Sequence, residues 1–185
     1  MASDRERLLQ LLAARSVLTG AFTLSSGQTS NVYVDARLTT TAAAAMPLIG
    51  RLFLELFREH GWWKPDAVIG PTLGADPILG AISYASAVAG DPVDHIIVRK
   101  EPKGYGSGSW LAGRTEGVER VILVEDVWTT GGSSKKALDA AAACGLEVYA
   151  ATALVDREQG AREAFAPLPT AALFRLTDVL AAAGL

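Results

Sequence analysis

An α/β fold with a central, mostly parallel sheet flanked by helices is predicted by two features of the sequence. Short apolar runs, such as 67–70, 121–124 and 148–155, alternate along the chain with longer segments of helical periodicity. Strands that are separated by helices usually pair in parallel, through right-handed crossovers. The 185 residues show no internal repeat and no linker, so a single domain spanning 1–185 is expected.

The N-terminal third is predicted to contain two helices and a strand. Ser3 and Glu6 form a capping-box pattern, which starts an amphipathic helix that ends near Arg15. Residues 31–35 alternate in polarity and are rich in β-branched side chains, so they are predicted to form a strand. A second helix is predicted for 42–59, because its apolar residues recur at helical spacing and Gly61 stands just beyond its end.

The middle of the chain is predicted to form a strand, a helix, a second strand and a long loop. Residues 67–70 are uniformly apolar or small and lead into a turn-rich stretch. Helical periodicity covers 78–89, and the β-branched run 95–99 is typical of a strand. Residues 100–117 include five glycines and a proline without a steady period, which predicts a mobile loop.

The C-terminal third alternates regularly between strands and helices. The apolar runs are too short for helices, and the intervening segments have helical spacing. Strands are predicted at 121–124, 148–155 and 171–176, and helices at 134–144 and 161–165.

Composition excludes several classes of protein. A formal net charge of −3 argues against a nucleic-acid-binding surface, and no run of about 20 apolar residues predicts a membrane helix. No signal peptide is recognisable, so a cytoplasmic location is expected. The single cysteine, Cys144, cannot form an intramolecular disulfide and is expected in the core.

Two adjacent acids followed by a glycine-rich turn give the sequence its most specific signal. Glu125 and Asp126 stand where the predicted strand 121–124 ends, the end at which parallel sheets bind ligands. The turn 129–133, Thr-Thr-Gly-Gly-Ser, leads into the next helix and suits a phosphate dianion. The carboxylates suit the hydroxyls of a neighbouring polyol. Together these features predict a ribose 5-phosphate site, and no P-loop or dinucleotide fingerprint competes with it.

The stretch VILVEDVWTTGGS, 121–133, resembles the signature with which type I phosphoribosyltransferases bind phosphoribosyl pyrophosphate (PRPP). Four further stretches resemble the orotate-specific members of that family, in the family's own order. They are GAFTLSSGQTSNVYVDAR at 20–37, GPTLGADPI at 70–78, VRKEPKGYG at 98–106 and LVDREQG at 154–160. The resemblance therefore covers most of the chain.

The resemblance implies a type I phosphoribosyltransferase fold with a small N-terminal hood, 1–40, and a flexible catalytic loop, 99–117. It implies transfer of ribose 5-phosphate from PRPP to orotate, giving orotidine 5′-monophosphate and pyrophosphate in pyrimidine synthesis. Mg²⁺ would be bound through the pyrophosphate and not directly by the protein. The implied assembly is a homodimer in which the loop reaches the neighbouring site, without nucleic acid or membrane as partners.

The resemblance also implies roles for individual residues. Lys103, Glu125 and Asp126 would be catalytic, and orotate would be bound by Ser26, Gly27, Thr129 and Arg157. PRPP would be bound by Arg99, Lys100, Lys103, Tyr105, Glu125, Asp126, Val127, Trp128, Thr129, Thr130, Gly131, Gly132 and Ser133.

Several points stay open at the level of sequence. Tyr105 stands where the family usually has a histidine, which predicts weaker pyrophosphate binding or slower chemistry. Arg157 could instead form a surface salt bridge with Asp156 or Glu158. Asp76 could cap the helix that follows it or organise the pyrophosphate loop, 70–78, and the cap is favoured.

The tryptophans and the choice of function are also open. Trp62 and Trp63 are expected in packing or dimer contacts, and Trp128 is expected to pack behind the phosphate turn, whereas Trp110 has no assigned role. The alternatives to an orotate enzyme are a phosphoribosyltransferase for another base and a PRPP-sensing regulator. Arg157 favours a base that carries a carboxylate.

Overall fold

A six-stranded sheet with the order β5-β4-β3-β6-β7-β8 organises the chain. The structure, a computed structural model, describes residues 2–23, 29–102 and 109–185. The five strands from β4 to β8 in that order pair in parallel, and only β5 is antiparallel, to β4. The predicted α/β class and mostly parallel sheet are therefore confirmed.

The helices and strands follow one another along the chain as expected for this class. The helices are α1 (Asp4–Ser16), α2 (Arg37–Thr40), α3 (Met46–Glu59), α4 (Asp76–Val88), α5 (Gly132–Ala143), α6 (Ala161–Phe165) and α7 (Leu176–Ala182). The strands are β1 (Val17–Thr23), β2 (Thr29–Val34), β3 (Ala67–Pro71), β4 (Asp94–Val98), β5 (Leu111–Ala112), β6 (Arg120–Trp128), β7 (Glu147–Asp156) and β8 (Thr170–Arg175).

Alternation along the central strands divides the core into two layers. In β6, Ile122 and Val124 face the layer formed by α1, α3 and α4, whereas Val121 and Leu123 face the layer under α5 and α6. Both faces are covered, which is why the strand is apolar throughout its first half. The acids that follow in β6 lie directly after the buried run 121–124, toward the carboxyl end of the strand.

The N-terminal segment forms a helix and a separate hairpin. The predicted capping box of α1 is confirmed, because the Ser3 N–H donates to Glu6 Oε2 over 2.7 Å and the Glu6 N–H donates to Ser3 Oγ over 3.2 Å. Strands β1 and β2 pair antiparallel in a sheet of their own. The assignment of 1–40 as a hood stays a prediction, although this hairpin lies within it.

Several elements differ from the prediction. Strand β1 and the short helices α2 and α7 were not predicted, and α3 begins at Met46, later than expected. Part of the predicted loop 100–117 is strand β5, while residues 103–108 lie outside the described part of the chain. Strand β6 continues through Trp128, four residues beyond its predicted end.

Cys144 is exposed, so its predicted place in the core is wrong. It lies one residue beyond the end of α5, as the C-cap, where its side chain has left the buried face of the helix. Among the described residues, no helix is both long enough and apolar enough to cross a bilayer.

Candidate active site

A cavity of about 620 Å³ opens at the carboxyl ends of β3, β6 and β7. It is lined by residues from six separate stretches of the chain, which the sheet and the β1–β2 hairpin bring together. They are Phe22, Tyr33, Val34, Asp35, Ala36, Arg37, Pro71, Thr72, Leu73, Gly74, Lys100, Glu125, Asp126, Val127, Thr129, Ser133 and Arg157.

Glu125 is the more deeply buried of the two acids, with 6% of its surface exposed. The Ser134 hydroxyl, at the start of α5, donates a hydrogen bond to Glu125 Oε2. Burial raises the pKa of Glu125 from 4.5 to about 7, although hydrogen bonds from Ser134 and Ser133 oppose this rise. The neighbouring Asp126 charge adds to the rise. The cavity therefore holds a carboxyl group that changes charge near neutral pH.

Asp126 lies against the backbone of the turn after β3. The Val127 N–H donates to Asp126 Oδ1 over 2.8 Å, which fixes one carboxylate oxygen. Desolvation by burial raises the pKa of Asp126, whereas the nearby Arg37 guanidinium lowers it. Arg37 is itself held by Asp35 through two hydrogen bonds of 2.9 and 3.0 Å.

The predicted phosphate turn, 129–133, joins β6 to α5 through a left-handed glycine. Gly131 is the N-cap of α5 and has a φ of 82°, a conformation that glycine adopts without steric cost. The first turn of a helix leaves backbone N–H groups without partners inside the helix. Thr129 and Ser133 line the cavity at either end of this turn. The turn therefore has the geometry of an anion site.

Trp128 packs behind this turn, as predicted. Its side chain is fully buried, and its ring meets Phe165 in an edge-on arrangement with centroids 5.2 Å apart. A β-carbon at position 131 would lie 2.8 Å from the Phe165 ring. Trp128 therefore supports the turn from below, and only its backbone could face a ligand.

Arg157 points into the cavity without a charged partner among the described residues. Its backbone N–H donates to the Trp128 carbonyl over 2.9 Å, and its Nε atom is buried without a hydrogen bond. Asp156 forms a salt bridge with Arg162 over 2.6 Å, and Glu158 accepts a hydrogen bond from the Thr177 hydroxyl over 3.1 Å. The alternative of a salt bridge from Arg157 to Asp156 or Glu158 is therefore not supported.

The pyrophosphate loop, 70–78, forms the opposite wall, and the favoured role of Asp76 there is wrong. Asp76 does not cap α4: the N-cap is Ala75, without a side-chain hydrogen bond. Instead, the Thr72 hydroxyl donates to Asp76 Oδ2 over 2.8 Å, while Oδ1 is buried without a partner in the described chain. This contact supports the other interpretation, an organiser of the loop.

The remaining predicted residues divide into three groups. Lys100 lines the cavity, whereas Arg99 is exposed outside it and its N–H donates to the Trp110 carbonyl over 2.9 Å. Thr130, Gly131 and Gly132 belong to the turn but are not lining residues. Ser26, Gly27, Lys103 and Tyr105 lie outside the described residues.

The sequence analysis assigned no role to the end of β2 and the residues after it, which contribute Tyr33, Asp35 and Arg37 to the cavity. The available signal was an acid at the end of the predicted strand 31–35 and an arginine two residues later. The described residues contain no group of three or more histidine, cysteine or acidic side chains able to hold a metal ion. Carboxylate oxygens do face the cavity, and they are the donor type that Mg²⁺ prefers.

Comparison with known proteins agrees with this geometry. Residues 40–166 match the family model described as "Phosphoribosyl transferase domain". The chain is 42% identical to the orotate phosphoribosyltransferase of Aquifex aeolicus, over 96% of this chain and 98% of that protein. It is 41% identical to the protein of that name from Streptomyces coelicolor, over 88% of each chain.

Solved structures give the same result. A crystal structure of Mycobacterium tuberculosis orotate phosphoribosyltransferase in complex with PRPP superimposes with a TM-score of 0.80, at 37% identity, covering 99% of this chain and 100% of that one. The structure of the same enzyme with Fe(III) dicitrate gives a TM-score of 0.84 at 39% identity, covering 96% and 99%. The chain belongs to the orotate phosphoribosyltransferases of the phosphoribosyl transferase domain family.

Proposed function

We propose that this chain transfers the ribosyl 5-phosphate group of PRPP to orotate, giving orotidine 5′-monophosphate and pyrophosphate in pyrimidine nucleotide synthesis. The observation that carries the proposal is the meeting of three features around one cavity: an acidic pair with Glu125 buried and Asp126 half-buried, a glycine-capped helix start, and an arginine whose Nε atom has no hydrogen-bond partner among the described residues. Each suits one part of the two substrates. The PRPP complex of the M. tuberculosis relative supports the choice of donor.

The 5-phosphate binds at the phosphate turn in this proposal. Thr129, Thr130 and Ser133 offer hydroxyls, and the backbone around Gly131 and Gly132 offers N–H groups at the positive end of α5. The acidic pair lies on β6 just before this turn, where it accepts hydrogen bonds from the ribose hydroxyls. Val127 and Trp128 join the two parts through their backbone.

In the reaction, the bond between ribose C1 and the pyrophosphate oxygen breaks, and pyrophosphate leaves with the bonding electrons. A ring nitrogen of orotate forms the new bond to C1 and gives up its proton. Positive charge develops on the ribose ring as the bond breaks, so the carboxylates of Glu125 and Asp126 stabilise the transition state. The burial of Glu125 strengthens this interaction, because little water screens it.

Orotate is selected by its carboxylate in this proposal. Arg157 has a buried Nε atom without a hydrogen-bond partner in the described part of the chain, and a guanidinium forms two parallel hydrogen bonds with a carboxylate. Thr129 lines the same cavity and contacts the base, together with Ser26 and Gly27. A neutral base would leave Arg157 unpaired, which is costly at a buried position.

Pyrophosphate leaves toward the catalytic loop, where Arg99, Lys100, Lys103 and Tyr105 receive it. Lys103 neutralises the charge that develops on the leaving group. Lys100 is one of the residues that line the cavity. Mg²⁺ bound through the pyrophosphate would supply further neutralisation, and Asp126, which lines the cavity, would contact it only through water. Replacement of Tyr105 by histidine should increase kcat. Unchanged kinetics would oppose the prediction that Tyr105 slows the reaction.

A direct assay tests the proposal. The purified chain is mixed with PRPP, Mg²⁺ and either orotate, uracil or adenine, and the loss of base and release of pyrophosphate are followed. Turnover with orotate alone is expected. Turnover with uracil or adenine only would favour a paralogue for another base, and PRPP binding without any turnover would favour a PRPP sensor.

The proposal includes a cytoplasmic homodimer in which the loop of one subunit completes the site of the other. Sedimentation measures the dimer, and mixing two inactive variants tests the shared site. Lys103→Ala and Glu125→Gln should each be inactive alone. Mixed dimers should recover activity, because one of their sites receives an intact loop and an intact acidic pair. No recovery after demonstrated subunit exchange would place each loop over its own site.

A further inference from the structure

Ser134 is buried completely, at the third position of α5, and lies outside the set of residues predicted to bind substrate. Its hydroxyl donates to Glu125 Oε2, across from the strand that carries the acid. Helix α5 and strand β6 are thus joined by a hydrogen bond between a fully buried serine and a nearly buried carboxyl group. A buried carboxylate without such a donor would be strongly disfavoured.

We propose that Ser134 is a positioning residue for Glu125, which aims the carboxyl group at the ribose hydroxyls and holds it in its ionised form. The inference rests on the proposed function for the identity of the ligand. The hydroxyl donates to Oε2 from the helix side, so this oxygen is fixed, and the Glu125 side chain lines the cavity. Ser134 itself is not among the residues that line the cavity.

Ionisation matters here because only the carboxylate can stabilise a positive ribose ring. A hydrogen bond to the charged form favours that form, so it opposes the effect of burial. Asp126, beside it on β6, opposes ionisation of Glu125, and Ser133 on α5 favours it. The other charged groups that line the same cavity are Asp35 and Arg37 after β2, Lys100 after β4 and Arg157 after β7.

The test is the pH dependence of kcat/KM for PRPP, which reports ionisations of the free enzyme. Wild-type kcat/KM should rise with pH through about 7, the pKa of Glu125. In Ser134→Ala the midpoint should move upward by about one pH unit, since a hydrogen bond to a charged group favours ionisation by that order. Ser134→Thr keeps the hydroxyl and should restore the wild-type midpoint.

Ser86→Ala is the matched control. Ser86 is also fully buried, donates to the Ser83 carbonyl over 2.8 Å and accepts from the Val93 N–H over 2.9 Å, at the opposite end of the sheet from the cavity. It should lower thermal stability without moving the midpoint. A midpoint unchanged in Ser134→Ala, or moved equally in Ser86→Ala, would overturn the inference.

A second measurement separates this inference from the proposed function. The pH dependence of urea unfolding reports the Glu125 ionisation whether or not orotate is the substrate. Loss of the Ser134 hydroxyl raises the pKa of Glu125 in the folded state, so unfolding free energy should keep falling to higher pH than in wild type. Wild type that does not turn over orotate, with the shift in unfolding still present, would refute the proposed function and keep the role of Ser134.

Discussion

Gly74 lies directly on the carboxylate of Asp126: a β-carbon at position 74 would be 2.5 Å from both Cγ and Oδ1 of the acid. The pyrophosphate loop and the acidic pair are therefore in contact through a residue that has no side chain. Any other residue at this position would push the carboxylate out of place.

Gly74→Ala should lower kcat/KM for PRPP, on the order of tenfold to a hundredfold, because the displaced carboxylate no longer meets the ribose hydroxyls. The measurement is steady-state kinetics beside thermal unfolding. Gly80→Ala is the control, since a β-carbon there meets no atom within 4 Å. It should add roughly 0.5–1 kcal/mol of helix stability and keep full activity. Equal kinetics for the two variants would contradict the prediction.

Gly131→Ala should destabilise the phosphate turn in two ways. Its φ of 82° is unfavourable for alanine, by roughly 1–2 kcal/mol, and the new β-carbon would lie 2.8 Å from the Phe165 ring. Gly145→Ala carries the same backbone strain at a φ of 78°, but without an atom within 4 Å. Chemical unfolding should show the larger loss for Gly131→Ala, and PRPP binding by calorimetry should weaken only there. The prediction fails if both substitutions cost the same stability and affinity.

Arg157→Lys should reduce kcat/KM for orotate, on the order of tenfold or more, because an ammonium cannot form the two-pronged contact with a carboxylate. The KM for PRPP should change little. Arg162→Lys is the matched variant, since Arg162 binds Asp156 at 2.6 Å and does not line the cavity. An equal rise in the KM for orotate in both variants would argue for a general disturbance of this region.

Glu125→Gln should make stability less dependent on pH. The pKa of Glu125 is raised from 4.5 to about 7 in the folded protein, so its protonated form is the one that folding favours. Wild-type unfolding free energy should therefore fall as pH rises from about 4.5 through about 7, by at most about 3 kcal/mol from this group.

Urea unfolding at pH 5 and pH 8 measures this effect. The glutamine variant should lose less stability between the two pH values than wild type, although Asp126, whose pKa is raised as well, contributes with the same sign. A variant with the wild-type pH dependence would show that Glu125 is not the group responsible. The variant should also lose PRPP turnover. A circular dichroism spectrum like that of wild type would show that this loss does not come from misfolding.

The sequence was sufficient for the fold class and for the two most specific parts of the cavity. The buried run before Glu125 and the glycines after Trp128 are local signals, since each depends on a single strand and a single turn. The short helices α2 and α7 could not be predicted in this way. A helix of four or seven residues does not complete enough turns for a periodic pattern.

Other features depend on contacts between distant parts of the chain. Nothing near Asp76 in the sequence shows that its side chain bonds to Thr72 and does not cap the start of α4. Arg157 could be assigned to the cavity only by resemblance. The sequence does not show that Asp156 forms its salt bridge with Arg162 and not with Arg157. Ser134 and Gly74 became significant only when β3, β6 and α5 were placed side by side.

The placing of two adjacent acids, one buried and one half-buried, has a consequence for protein engineering. A selection for heat resistance alone, without any demand for turnover, should accumulate amides or apolar residues at positions 125 and 126, because charged groups there reduce stability. Laboratory evolution of this chain for robustness therefore needs a growth requirement for its product at every round, or the most heat-resistant clones will be inert.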